Sequence, residues 1–161
     1  MFITFSMAVM RMSGAIGFNP LFGKSNFPVK IRAYFVFALS RLLYLCADQT
    51  KIAYPESMAE YILMLAGELF LGAVLAFAME LAFLTIRFAS SIMDYSMGLS
   101  MAQIYDPQYG TQSTVSSGIY YAFMVLIFFA SNSHLRLLAL FYQSVQLIPY
   151  GKVTFNPMLV H

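Results

Sequence analysis

The chain has 161 residues, of which 60% are hydrophobic and 10% charged, and a formal net charge of +2 at pH 7. A soluble domain is about 45–50% apolar and about 25% charged, and a small body has too much surface for its volume to hide this excess. A soluble enzyme and a basic nucleic-acid footprint are excluded; the surplus apolar surface must face lipid or other subunits.

Taken in order, the first apolar run is Phe2–Phe18, ending at Asn19-Pro20. It has no basic stretch ahead of it and carries Arg11 in its middle, so it reads as a retained helix and not as a signal peptide. A loop with Gly23, Lys24, Ser25, Asn26 and Pro28 follows, since two prolines eight apart mark a turn region. The second run, Ala33–Ala47, is broken by Asp48-Gln49-Thr50-Lys51 and Pro55. From Glu56 to Met101 there is no proline. About 46 residues of helix would reach about 69 Å, against a hydrocarbon core of ~30 Å. Either two helices fold back near Arg87–Ser91, as a simple membrane reading predicts, or one very long helix extends beyond the bilayer. A loop is predicted over Tyr105–Ser117, then runs at Gly118–Ala130 and Leu135–Ile148, divided by Ser131-Asn132-Ser133 and closed by Pro149-Tyr150-Gly151. No repeat, low-complexity tract or linker divides residues 1–161, so they read as one helical domain.

Most runs are shorter than the ~20 residues of a lone spanning helix, and they carry charges: Arg11, Arg41, Glu60, Glu68, Glu80, Arg87, Asp94 and Arg136. A charge facing lipid at mid-bilayer costs roughly 2.5–3.5 kcal/mol, so these residues are expected to face other helices, a wet channel or partner subunits. Glu80, Arg87 and Asp94 follow one another at steps of seven, which places them on one helical face. With Glu68 they form a candidate polar seam, either holding a bundle together or lining a polar path. Gly67, Gly72 with Ala76, Gly98, and Gly14 with Gly17 are candidate close-packing positions. Met93, Met97 and Met101, spaced by four among twelve methionines, read as inward packing residues or as a flexible seal.

Sites for chemistry are missing from the pattern. Cys46 reads as a small buried hydrophobe, and His134 and His161 have no ligand or nucleophile spacing around them. No catalytic, cofactor-binding or metal residues are predicted. The Asn19–Arg32 loop, with Lys24, Lys30 and Arg32, would be cytoplasmic by the positive-inside rule.

Several segments, in order, carry a family likeness: Arg11-Met12-Ser13-Gly14; Asn19-Pro20-Leu21-Phe22-Gly23; Phe27-Pro28-Val29-Lys30-Ile31-Arg32; Gly67-Glu68 with Gly72. The most specific are Ile92-Met93-Asp94-Tyr95-Ser96-Met97-Gly98 and Met101-Ala102-Gln103-Ile104-Tyr105-Asp106-Pro107-Gln108-Tyr109-Gly110. Phe128-Phe129, Asn132-Ser133-His134 and Ser144 through Pro149-Tyr150-Gly151 complete the set. It resembles the FliR/SctT family of type III secretion export-gate proteins, its flagellar branch more than its injectisome branch. One departure is Ser90-Ser91, where the family usually has a glycine before the Ile-Asp pair. The other is length: family members continue past the Pro-x-Gly turn with a further helical hairpin, so the resemblance implies a chain shortened at its C-terminal end.

The resemblance implies an all-α, integral-membrane-type bundle of tilted, partly broken helices and helical hairpins, part of a helical hetero-oligomer. Its partners would be FliP-like and FliQ-like export-gate subunits and an FlhB-like subunit, with unfolded export substrates passing through and membrane lipid around. The setting would be the bacterial inner membrane at the flagellar basal body. A plug for the closed channel is implied around Met101–Gly110, with Met101, Tyr105, Asp106, Pro107, Tyr109 and Gly110 as its residues. Two rivals stand beside this reading: a small multi-spanning transporter or channel with its own ligand pocket, and a non-gating assembly scaffold.

Overall fold

Prolines mark the first two breaks between helices, and Gly98 and Asn132 the later ones. The computed structural model describes residues 2–22, 28–46, 55, 57–99, 103–106 and 110–151. Helices α1 (Phe2–Gly17), α2 (Val29–Cys46) and α3 (Met58–Ser96) come first, then strands β1 (Gln103–Asp106) and β2 (Thr111–Thr114), then α4 (Val115–Ala130) and α5 (Ser133–Leu147). The architecture is an all-α membrane-type bundle to which one small hairpin is added. Lys24, the Asp48–Lys51 break, Met101, Pro107, Tyr109, His161 and the side chain of Cys46 lie outside the described residues.

The fold-back expected near Arg87–Ser91 does not occur. Helix α3 runs unbroken for 39 residues, about 58 Å at 1.5 Å per residue. Its start is a serine N-cap: the Ser57 hydroxyl accepts from the Glu60 backbone N–H at 3.2 Å, with Glu60 also favourable against the helix dipole. Its end is Gly98, whose φ of +75° is the left-handed conformation that closes helices and that glycine adopts without strain. Ser90 and Ser91, where a turn was considered, bond back to the Ile86 and Arg87 carbonyls at 2.7 and 3.0 Å, so their hydroxyls are satisfied within the helix.

Helix α1 is the central element. Its buried residues, Thr4, Met7, Ala8, Arg11, Met12, Gly14, Ala15 and Ile16, follow the 3.6-residue period and cover one broad face. It packs most extensively on α3 and next on α2. One core cluster joins Met12, Ala15 and Ile16 to Val36, Leu43 and Phe141; the other joins Met7 and Ala8 to Met64, Val145 and Tyr150. The crossing of α1 and α3 is very close. A Cβ on Gly14 would clash with the Leu69 carbonyl oxygen, and one on Gly72 with the Arg11 carbonyl oxygen, so only glycine lets the two backbones meet there. Gly67 is also buried. Gly17 and Gly98 have no atom within 4 Å of where a Cβ would stand, which corrects the expectation of close packing at those two positions.

The loop predicted over Tyr105–Ser117 is instead an antiparallel hairpin followed directly by α4. Its register pairs Gln103 with Thr114, Ile104 with Ser113, Tyr105 with Gln112 and Asp106 with Thr111. Gly110, at φ +65°, closes the connection by donating its N–H to the Asp106 carbonyl at 2.9 Å. Helices α4 and α5 are bent by 69° at the intervening break. There Asn132 takes φ 55°, a conformation asparagine tolerates better than most side chains.

Among the described residues, α3 is long and apolar enough to cross a membrane, and the bent α4–α5 pair would count as a second span if taken together. The α3 face away from α1 carries exposed Ile62, Phe70, Phe77, Leu81, Phe88 and Ile92. A helix apolar on both sides belongs in lipid or inside a larger assembly.

Candidate functional site

Two polar constellations stand out against this apolar background, and both are organised by charges on α3. The first is fully buried. Arg11 and Glu68 are each 0% exposed, and Arg11 Nε donates to Glu68 Oε2 at 2.5 Å. The remaining valences are also used. Arg11 Nη1 donates to the Ser144 carbonyl at 3.1 Å and Nη2 to the Ile148 carbonyl at 3.0 Å, while Glu68 Oε1 accepts from the Gly151 N–H at 3.0 Å. Arg11 therefore adds a second donor to the Ser144 carbonyl, which already accepts from the Ile148 N–H at 3.0 Å, and caps the Ile148 carbonyl at the C-terminal end of α5. Its guanidinium lies 4.8 Å from the centroid of the Tyr150 ring. One ion pair ties α1, α3, α5 and the Pro149-Tyr150-Gly151 turn into a single body.

Tyr150 is 1% exposed. Burial pushes its hydroxyl up to about 12, the nearby Arg11 charge opposing the shift and the Glu68 charge adding to it. Its oxygen has no hydrogen-bond partner among the described residues.

The second constellation lies toward the other end of α3. Arg87 Nη2 donates to Asp106 Oδ2 on β1, and the two side chains keep 12% and 16% of their surface. The Arg87 guanidinium lies 5.3 Å from the Tyr121 ring centroid on α4, a cation–π contact. One heptad on, Asp94 Oδ2 accepts from the Ser116 N–H at 3.2 Å. Thr114 is the N-cap of α4 but makes no side-chain cap bond, so the carboxylate of a different helix satisfies an orphan amide at this N-terminus.

The sequence-predicted residues thus divide between two places. Glu68 belongs with Arg11, whereas Arg87 and Asp94 serve the hairpin and α4. The predicted seam is therefore a set of bonds to other elements. Glu80 is half-buried beside an apolar groove of about 510 Å³ formed with Phe18, Phe70, Ala73, Val74 and Phe77. Tyr105 projects from β1, 65% exposed, and Gly110 closes the turn. Met93 and Met97 are 51% and 61% exposed, which corrects the reading of them as inward packing residues. Sequence reasoning missed the roles of Ser144, Ile148, Gly151, Ser116 and Tyr121. These act through backbone atoms or ring faces that no spacing rule marks.

Nothing in either cluster resembles a catalytic arrangement. His134 stacks on Phe129 at 5.6 Å between centroids. No three His, Cys, Asp or Glu side chains among the described residues group closely enough to hold a metal ion.

The family described as bacterial export proteins, family 1, matches residues 2–161. The chain is similar to the flagellar biosynthetic protein FliR of Bacillus subtilis (strain 168), with 30% identity over 151 residues, 92% of this chain and 56% of that protein. It is also similar to the protein of that name from Buchnera aphidicola subsp. Baizongia pistaciae (strain Bp), with 25% identity over 148 residues, 92% of this chain and 57% of that protein. With the Borreliella burgdorferi (strain ATCC 35210 / DSM 4680 / CIP 102532 / B31) protein of that name it shares 29% identity over 130 residues, 80% of this chain and 46% of that protein. The chain spans about half the length of these relatives.

Proposed function

Because this chain belongs to the family of bacterial export proteins, family 1, we propose that it is a subunit of the flagellar type III protein export gate. In this reading it forms wall and gate of the conduit for unfolded export substrates, in the inner membrane at the flagellar basal body. The printed names of its relatives support the flagellar assignment. The observation that carries the gate role is the small hairpin, with exposed Tyr105, held by polar contacts on the long apolar helix α3. The exposed apolar face of α3 is the surface on which FliP-like and FliQ-like subunits would pack, with an FlhB-like subunit nearby. The chain would perform no catalysis of its own and would take transport energy from other components.

The test is co-expression with the FliP-like and FliQ-like proteins of the same organism, extraction in mild detergent, and intact mass measurement. This chain and a version extended to the relatives' length are compared. The expected result is a complex holding one of these versions with several partner copies. Failure of both to associate would overturn the assembly reading and favour a self-sufficient transporter. Deleting residues 103–114 separates gate from scaffold: a gate predicts an ion-leaky membrane, and an assembled complex with no added leak would make the chain a scaffold only.

A further inference from the structure

Arg87 and Asp94 are two charges of the same helix face that both hold the segment following that helix. We propose that they form a clasp with one releasable arm that positions the gate hairpin: Arg87 grips β1 through Asp106, while Asp94, 1% exposed, is the fixed arm that holds the α4 start through Ser116. This rests on the gate reading of the hairpin and adds the residues that set its closed position.

The contrast with the other ion pair carries the argument. Arg11 and Glu68 are wholly buried and bonded on every side, so separating them would strand charges in an apolar core. Arg87 and Asp106 keep 12% and 16% of their side-chain surface, so water can reach the charges when the pair opens, and opening it costs less than opening the wholly buried pair. A two-stranded hairpin of four-residue strands is marginally stable alone, hence its position is decided by what anchors it. Its ladder bonds are internal, which lets it leave as a unit without breaking the sheet. Arg87 also lies on the Tyr121 ring, itself 5.7 Å from Phe83 between centroids. The cation thus stays seated between α3 and α4 when Asp106 departs, ready to receive it again.

Charge reversal and charge exchange in the full-length protein, assembled with its partners, test the clasp. Arg87→Glu, Asp106→Arg and the double exchange R87E/D106R are compared with wild type and with the 103–114 deletion, and intact mass verifies assembly. Two quantities are read: amide hydrogen exchange over residues 103–106 and 111–114, and ion leak across the membrane. Each single reversal is expected to speed hairpin exchange by roughly tenfold or more, the effect of losing one charge-assisted hydrogen bond, and to raise leak toward that of the deletion. The double exchange should return both toward wild type, which a merely structural loss at either position would not do. If the deletion leaks but neither reversal changes hairpin exchange or leak, the clasp is overturned and the gate reading survives. If the reversals loosen the hairpin while neither they nor the deletion leak, the gate reading fails and the proposal falls with it.

Discussion

Replacing Arg11 by methionine removes the cation from a site where it touches three helices. Glu68, 0% exposed, would be left as a buried carboxylate with the Gly151 N–H as its remaining bond. The Ile148 carbonyl would lose the donor that caps α5, and the Ser144 carbonyl would keep only its bond from the Ile148 N–H. Breaking a buried pair by removing one member costs about 3–5 kcal/mol, and a domain's whole stability is about 5–15 kcal/mol. At roughly 2–4 °C per kcal/mol for a chain of this size, R11M should lower the midpoint of thermal unfolding in detergent by about 6–20 °C. Glu68→Gln should fall in the same range, because an amide N–H₂ or a neutral oxygen then faces the guanidinium. The double variant R11M/E68M strands no charge and should cost less than the sum of the single changes by about 2 kcal/mol or more, although α5 still loses its cap. The measurement is fluorescence-detected size-exclusion thermostability of the four proteins. Additive losses, or single variants that melt within 2 °C of wild type, would refute the claim that this pair is the structural lock.

Four further outcomes are expected. Gly72→Ala should fail to pack α1 against α3, since the new methyl would clash with the Arg11 carbonyl oxygen, and the yield of monodisperse protein should collapse. Gly17→Ala, at the open last residue of α1, should be near neutral, because helix propensity counts fully only in a helix interior. Asn132→Val should cost about 1–2 kcal/mol because a branched side chain is strained at φ 55°, whereas Asn132→Gly should cost little; thermal midpoints compare the two. Tyr150, raised to about 12 in the folded protein from an ordinary value near 10, favours the neutral form when folded. The unfolded chain therefore loses this proton first, so the stability it contributes is present below about pH 10 and is lost as pH rises toward 12. Tyr150→Phe should flatten that part of the stability profile, as chemical denaturation at stepped pH would show; an unchanged profile would contradict the burial argument.

Much of the helical order is readable from the chain because it depends on local chemistry. Asn19-Pro20, Pro28 and Pro55 interrupt helices wherever they occur, and the absence of proline from Glu56 to Met101 permits the length of α3. The steps of seven among Glu80, Arg87 and Asp94 are likewise a property of helical rotation alone. The hairpin was not legible as strands. Gln103–Asp106 and Thr111–Thr114 are too short and too polar for a two-residue alternation to stand out, and the contact of Asp106 with Arg87 is made only in the folded chain. The apolar pattern places the start of α3 after Pro55 without its Ser57 cap, and Asn132 gives only a polar break with no sign of its left-handed conformation.

The sequence by itself determined that eight charged residues lie within or beside apolar helices and that each needs a partner or water, because that cost depends only on composition and local context. Only the tertiary structure decided which partners they take. Arg11 meets Glu68 across 57 residues and the end of α5 across more than 130, while Arg87 meets Asp106. The Arg11 pairings depend on where the glycine contact of Gly14 and Gly72 lets α1 and α3 cross. That crossing is a property of two packed surfaces together, which neither segment carries alone.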